Sequence, residues 1–248
     1  SWLAFALVCL FIVLPLSLWL ATKPRQPRSS AEPQLSDAER LAESQGWTRK
    51  QVIRDSGFYL LLPVVFAVPC LGTGLFFHQV VLVNEKGWEL SAFASGFTTF
   101  AIATTTFGLI GGRLIDGRNA RWLLNFSLWP MALGFLLVSL SGSPLIVHAL
   151  MLLVGITVGF NHTIGTALWA ELYGLAHLGS IRALTSLFMV FSTALGPAMM
   201  GLLLDQGISM DRVMLLSAVW VAVTAACIPL ILATIQCRRP DLAAISRR

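Results

Sequence analysis

The chain has 248 residues, of which 56% are hydrophobic and only 12% charged, and its mean hydropathy is +0.77. Soluble domains carry about 25% charged residues, so composition argues against a water-soluble enzyme or a nucleic-acid-binding domain. The net charge of +5 has a topological reading, given below, that needs no nucleic-acid partner.

Apolar stretches of about 20 residues alternate with short charged loops, the pattern of membrane-spanning helices. Seven runs follow in chain order: Trp2–Ala21, Phe58–Val83, Leu90–Gly112, Trp122–Leu140, Leu145–Ala170, Ile181–Leu204 and Val213–Ile235. Most are long enough to cross about 30 Å of hydrocarbon at 1.5 Å per residue. A backbone in hydrocarbon must satisfy its own hydrogen bonds, and no run alternates with the period of a barrel strand, so the runs are read as helices. The second run is interrupted by Pro63, Pro69, Gly72 and Gly74.

The chain begins Ser1-Trp2-Leu3, without a basic leader or an A-x-A cleavage site behind the first run, so that run is read as a true span. The missing initiator Met suggests a fragment or a processed chain. Only one connection is long. It opens Lys23-Pro24-Arg25-Gln26-Pro27-Arg28, which is linker chemistry, and Ser36-Asp37-Ala38-Glu39 matches a capping box that would start a short surface helix. The expected organisation is therefore a single span over 1–22, a linker over 23–56, a six-span unit over 57–236 and a tail over 237–248.

Seven spans put the termini on opposite sides, and the basic residues test which side is which. One side holds the linker's Lys23, Arg25, Arg28, Arg40, Arg49, Lys50 and Arg54, the loop residues Arg113, Arg118, Arg121 and Arg182, and the tail's Arg238, Arg239, Arg247 and Arg248. The other holds Lys86 and Arg212 alone. The positive-inside bias assigns the linker and C-terminus to the cytoplasm and Ser1 to the outside. Cys9, Cys70 and Cys227 lie in apolar runs, and with Cys237 they show no metal-ligand spacing. No metal or cofactor is expected.

Between the third and fourth runs stands Gly112-Arg113-Leu114-Ile115-Asp116-Gly117-Arg118-Asn119-Ala120-Arg121. This resembles the G-x-L-x-D-R-x-G-R-R loop of the major facilitator superfamily, the twelve-helix secondary transporters. Gly112, Leu114, Asp116 and Arg121 match. Gly117 replaces the first basic residue, with Arg118 one place later, and Asn119-Ala120 replace Gly-Arg. Such degradation suits the second copy of the loop, between helices eight and nine. The resemblance makes the first run helix six, the linker the central cytoplasmic loop, and the other runs helices seven to twelve. The expected fold is all-α, with seven transmembrane helices, the last six forming one six-helix half; the N-terminal half would be a missing partner.

The loop charges Asp116, Arg118 and Arg121 can pair in one conformer and part in another, biasing a two-state equilibrium, or simply anchor helix ends at the headgroups. Glu171, at the cytoplasmic end of the fifth run, is expected to pair with Arg182 or with the arginines of the Asp116 loop. No Asp, Glu, Lys or Arg lies in the middle of any run. An ionisable residue at depth is costly and by default functional, which turns attention to His78 with Gln79 and to Asn161-His162-Thr163. The resemblance places these on helices seven and ten, which line the central cavity in the family. His162 could donate to a carboxylate or carry a proton near neutral pH, or bond a neighbouring helix structurally. Pro69 and Gly72 break helix seven near His78, as expected beside a transport cavity. Gly196-Pro197 resembles a Gly-Pro hinge of some antiporters and is equally readable as a packing kink. Gly108-x-x-x-Gly112 and Gly155-x-x-x-Gly159 have the spacing of close helix packing.

The functional expectation is part of a secondary transporter that moves a small organic anion by alternating access, with protons as the first choice of coupling ion. The Phe77-His78-Gln79 stretch with Gly87-Trp88 resembles bacterial monocarboxylate and oxalate–formate carriers. The alternatives are an efflux carrier for apolar compounds and a non-transporting receptor or scaffold. A membrane enzyme is disfavoured: no H-E-x-x-H, intramembrane Asp pair or G-x-S-x-G is present. The expected surroundings are a bilayer, the inner or plasma membrane, and a small-molecule substrate.

Overall fold

The computed structural model describes residues 46–238, all within the compact unit Glu43–Arg248. The expected first span, the capping-box helix at Ser36 and the tail beyond residue 238 lie outside the described residues. Within them nine helices follow: α1 Arg49–Arg54, α2 Ser56–Phe77, α3 Gln79–Lys86, α4 Leu90–Gly117, α5 Ala120–Ser127, α6 Trp129–Leu140, α7 Ile146–Tyr173, α8 Leu178–Asp205 and α9 Met210–Arg238. Counting α5 and α6 as one span, six are long and apolar enough to cross a membrane, and no strand is present among the described residues. These six coincide with the last six expected runs, so the protein is all-helical and multi-pass.

Two runs differ from their expected form. The second breaks at His78 and not at the expected residues: α2 runs unbroken through Pro63, Pro69, Gly72 and Gly74 and ends at His78, whose φ and ψ of −97° and 16° leave the helical region before α3 begins. The fourth breaks at Leu128, just before Pro130, which starts α6 as a proline can because the first-turn N–H is unpaired anyway. Conversely, α4, α7 and α8 each run to 28 residues, about 42 Å at 1.5 Å per residue. They outlast the apolar run by up to a turn or more because a helix continues into the headgroup layer, where polar side chains are tolerated.

The helices pair chiefly as α4 with α7, α2 with α8, and α6 with α9. The core between them is made of residues such as Phe58, Leu61, Phe93, Met131, Phe135, Leu150 and Met151, all fully buried. The α4–α7 pair is held by the glycines. A Cβ at Gly159 would lie 2.6 Å from the Thr104 carbonyl oxygen, and one at Gly155 would lie 2.9 Å from that of Phe100. On α4 the close contacts fall at Gly108 and Gly111, whereas a Cβ at Gly112 would meet open space.

Charged residues cap the two ends. At one end Lys86 Nζ lies 2.6 Å from Asp211 Oδ1 and donates to the Ser141 carbonyl (2.9 Å). Glu85 accepts from the first N–H of α9 (2.7 Å), and Trp88 Nε1 donates to the Gly142 carbonyl (2.7 Å). At the other, arginine-rich end, residues 46–55 strap across the exit of α7. Trp47 N–H donates to the Tyr173 carbonyl (2.9 Å), and the Tyr173 hydroxyl donates to Asp55 (2.8 Å).

Candidate functional site

Three of the four expected hinge residues meet at one crossing. Pro69 in α2 and Pro197 in α8 have no N–H, so Pro197 leaves the Thr193 carbonyl without its helical donor. The Thr73 hydroxyl lies 2.6 Å from the Pro69 carbonyl oxygen and 3.1 Å from that of Thr193. One turn on, His78 Nε2 is 3.0 Å from the Pro197 carbonyl oxygen. A carbonyl only accepts, so Nε2 carries the proton. The backbones touch: a Cβ on Gly196 would sit 1.8 Å from the Cys70 carbonyl oxygen. Gly72 does not join this contact; it faces the cavity described next.

That cavity, of about 420 Å³, lies among α2, α4, α5, α7 and α8. Val64, Val68, Phe76, Phe100 and Trp169 give it apolar walls. Asn161, His162, Thr166, Arg182, Thr185 and Ser186 supply its polar groups, and no Asp or Glu lines it. The side chains of Asn161, His162 and Arg182 make no hydrogen bond or ion pair among the described residues, and His162 and Arg182 are exposed. Trp169 is buried, stacked on Tyr173 with centroids 6.0 Å apart.

The five residues expected on a solute path are thus divided. Asn161 and His162 line the cavity. Thr163, next in sequence, points to the other side of α7, its hydroxyl donating to the Gly108 carbonyl on α4 (3.0 Å). His78 is engaged with α8, and Gln79 opens α3; neither lines the cavity. Arg182, expected as a loop charge, lines it instead. The reason is local: α8 starts at Leu178, not Ile181, so Arg182 lies a full turn inside the helix rather than at its edge.

The signature loop forms a second polar assembly. Of the two partners expected for Glu171, the structure gives the arginine of the loop: Arg121 Nε lies 3.4 Å from Glu171 Oε2. The other oxygen, Oε1, accepts from Ala120 N–H at 2.6 Å and so caps α5 with a charge of the favourable sign. Arg118 lies over the Trp122 ring, 4.2 Å from its centroid, while Asp116 is exposed and forms no ion pair among the described residues. Beside them is a cleft of about 890 Å³ reaching to α9.

A sequence model of the Major Facilitator Superfamily matches residues 79–246. The MFS-type transporter clz4 of Cochliobolus lunatus is 26% identical over 134 residues, which are 54% of this chain and 24% of that protein. The chain thus spans about a quarter of the length of the curated relative it matches. The matched segment contains five of the six membrane-capable helices, the signature loop, both glycine pairs and the cavity residues of α4, α5, α7 and α8. The chain belongs to the Major Facilitator Superfamily, a family of membrane transporters and not of enzymes.

Proposed function

We propose that this chain is the C-terminal part of a secondary active transporter that moves a small organic anion, a monocarboxylate above all, by alternating access. The observation that carries this reading is the lining of the 420 Å³ cavity: Arg182, His162 and Asn161 offer donors with no carboxylate among the lining residues. Donors left without partners around a cavity that no carboxylate lines favour an anion, and a guanidinium forks onto a carboxylate with two hydrogen bonds. The apolar wall of Val64, Val68, Phe76 and Phe100 suits a short hydrocarbon tail. A second six-helix half, covering the exposed His162 and Arg182, would close the path. The charge bias of the loops supports reading the arginine-rich end as cytoplasmic, in a plasma or inner membrane. His162, with neither ring nitrogen engaged among the described residues, is the residue suited to carry a coupled proton.

The test is uptake of labelled short-chain monocarboxylates by cells expressing the whole protein. Arg182→Gln should raise KM by about tenfold or more, the weight of a charge-assisted bond. His162→Ala should change affinity strongly and flatten the pH dependence, with membrane expression intact. Carboxylate uptake that ignores both substitutions, or extrusion of apolar dyes in place of uptake, refutes the reading.

A further inference from the structure

The 890 Å³ cleft at the arginine-rich end lies apart from the solute cavity and is lined by different residues, from the signature loop, α5 and the last three turns of α9. Its lining changes character along its length. Arg118, Arg121, Asn125 and Gln236 are polar, whereas Pro229 and Leu232 of α9 are apolar. The polar part is at a loop between two spans, the level of the headgroups, and the apolar part follows α9 toward the hydrocarbon.

Two buried atoms are left without partners. Arg121 is only 5% exposed, and Glu171 engages its Nε, yet its Nη1 is fully buried with no hydrogen-bond partner. Asn125 donates through Nδ2 to the Arg121 carbonyl (3.3 Å), while its Oδ1 is likewise buried and unpartnered. A donor on a cation and a neutral acceptor, one helical turn apart and both unsatisfied behind the wall of the cleft, would gain partners by turning outward to a ligand bearing an anionic oxygen and a hydroxyl. Arg118, held over Trp122 at the same cleft, adds a second cation, and Asp116 at its rim adds a second acceptor.

We propose that this cleft binds a glycerophosphate group, and specifically the headgroup of a phosphatidylglycerol-type lipid. The phosphate lies on Arg118 and Arg121, the headgroup hydroxyls on Asn125 and Asp116, and an acyl chain along Leu232 and Pro229. Phosphate suits the guanidinium fork, and basic pockets between spans are where anionic headgroups are held. Asp116 and Glu171 offset the two arginines in charge, which favours a headgroup with one anionic and several hydroxyl groups over a polyanion.

The experiment is a titration of the full chain, purified in detergent, with short-chain phosphatidylglycerol, short-chain phosphatidylcholine and soluble glycerol 3-phosphate, read by thermal shift and by native mass spectrometry. Phosphatidylglycerol should bind and raise Tm. Arg118→Gln, a change at an exposed side chain that leaves the core alone, should weaken that binding about tenfold. Asn125→Leu should weaken it as well. Glycerol 3-phosphate binding as tightly as the lipid would overturn the lipid as the source. Equal stabilisation by phosphatidylcholine, or phosphatidylglycerol binding unchanged in both variants, would overturn the site.

Discussion

Replacing Gly196 by alanine would place a Cβ 1.8 Å from the carbonyl oxygen of Cys70. Backbone oxygen cannot swing aside as a side chain can. Restoring a contact of 3.4 Å requires α2 and α8 to part by about 1.6 Å, an overpacking of the kind that costs roughly 1–3 kcal/mol. The same movement stretches two interhelical bonds, Thr73 to the Thr193 carbonyl at 3.1 Å and His78 to the Pro197 carbonyl at 3.0 Å. Each contributes about 1 kcal/mol. Alanine's better helix propensity returns about 1 kcal/mol, leaving a net loss of roughly 2–4 kcal/mol. For a chain of this size that lowers Tm by roughly 5–15 °C. Gly179→Ala is the control, since the same helix carries it and a Cβ there meets nothing within 4 Å. The assay is the apparent Tm of the two variants and the parent in one detergent, followed by tryptophan fluorescence. Equal Tm values for Gly196→Ala and Gly179→Ala would refute the close crossing and the hinge geometry built on it.

Glu171→Gln should lower stability by about 2 kcal/mol, because Arg121 would stay buried without its counter-charge; if Arg121→Gln in the same background restores nothing and Tm is unmoved, the pair is ornamental. Lys86→Met should cost about 1–2 kcal/mol through the lost contacts to Asp211 and the Ser141 carbonyl. The half-exposed Asp211 can rehydrate, so the loss should stay small and persist in high salt, as a Tm series in salt will check. Within the alternating-access reading, Asp116→Asn should slow turnover more than it weakens substrate binding in transport assays. Equal loss in both would speak for simple misfolding.

How far the chain could be read in advance differs between its parts. The six described spans were legible because hydrocarbon leaves few choices: a run of about 20 apolar residues must be a helix. The same hydropathy hid the breaks at His78 and Leu128, since a kink exchanges backbone partners without changing composition. The glycine spacing announced a close helix contact on α4, but Gly111 rather than Gly112 packs there, as a one-residue step of 100° turns the contact face. His162 and Asn161 were visible as polar residues at depth. Arg182 was not, because it reads as a loop charge unless α8 is known to begin at Leu178.

The sequence by itself determined that the protein is helical and multi-pass, and the signature loop pointed to its family. The first two follow from transfer free energies, which act on residues one at a time. Only the tertiary structure decided which polar groups are still available. It joined Glu171 to Arg121, His78 to Pro197 and Thr163 to Gly108, and it left Asn161, His162 and Arg182 around one cavity. A hydrogen bond is a relation between two helices, and the residues that share it can lie more than a hundred positions apart, so no window along the chain contains it.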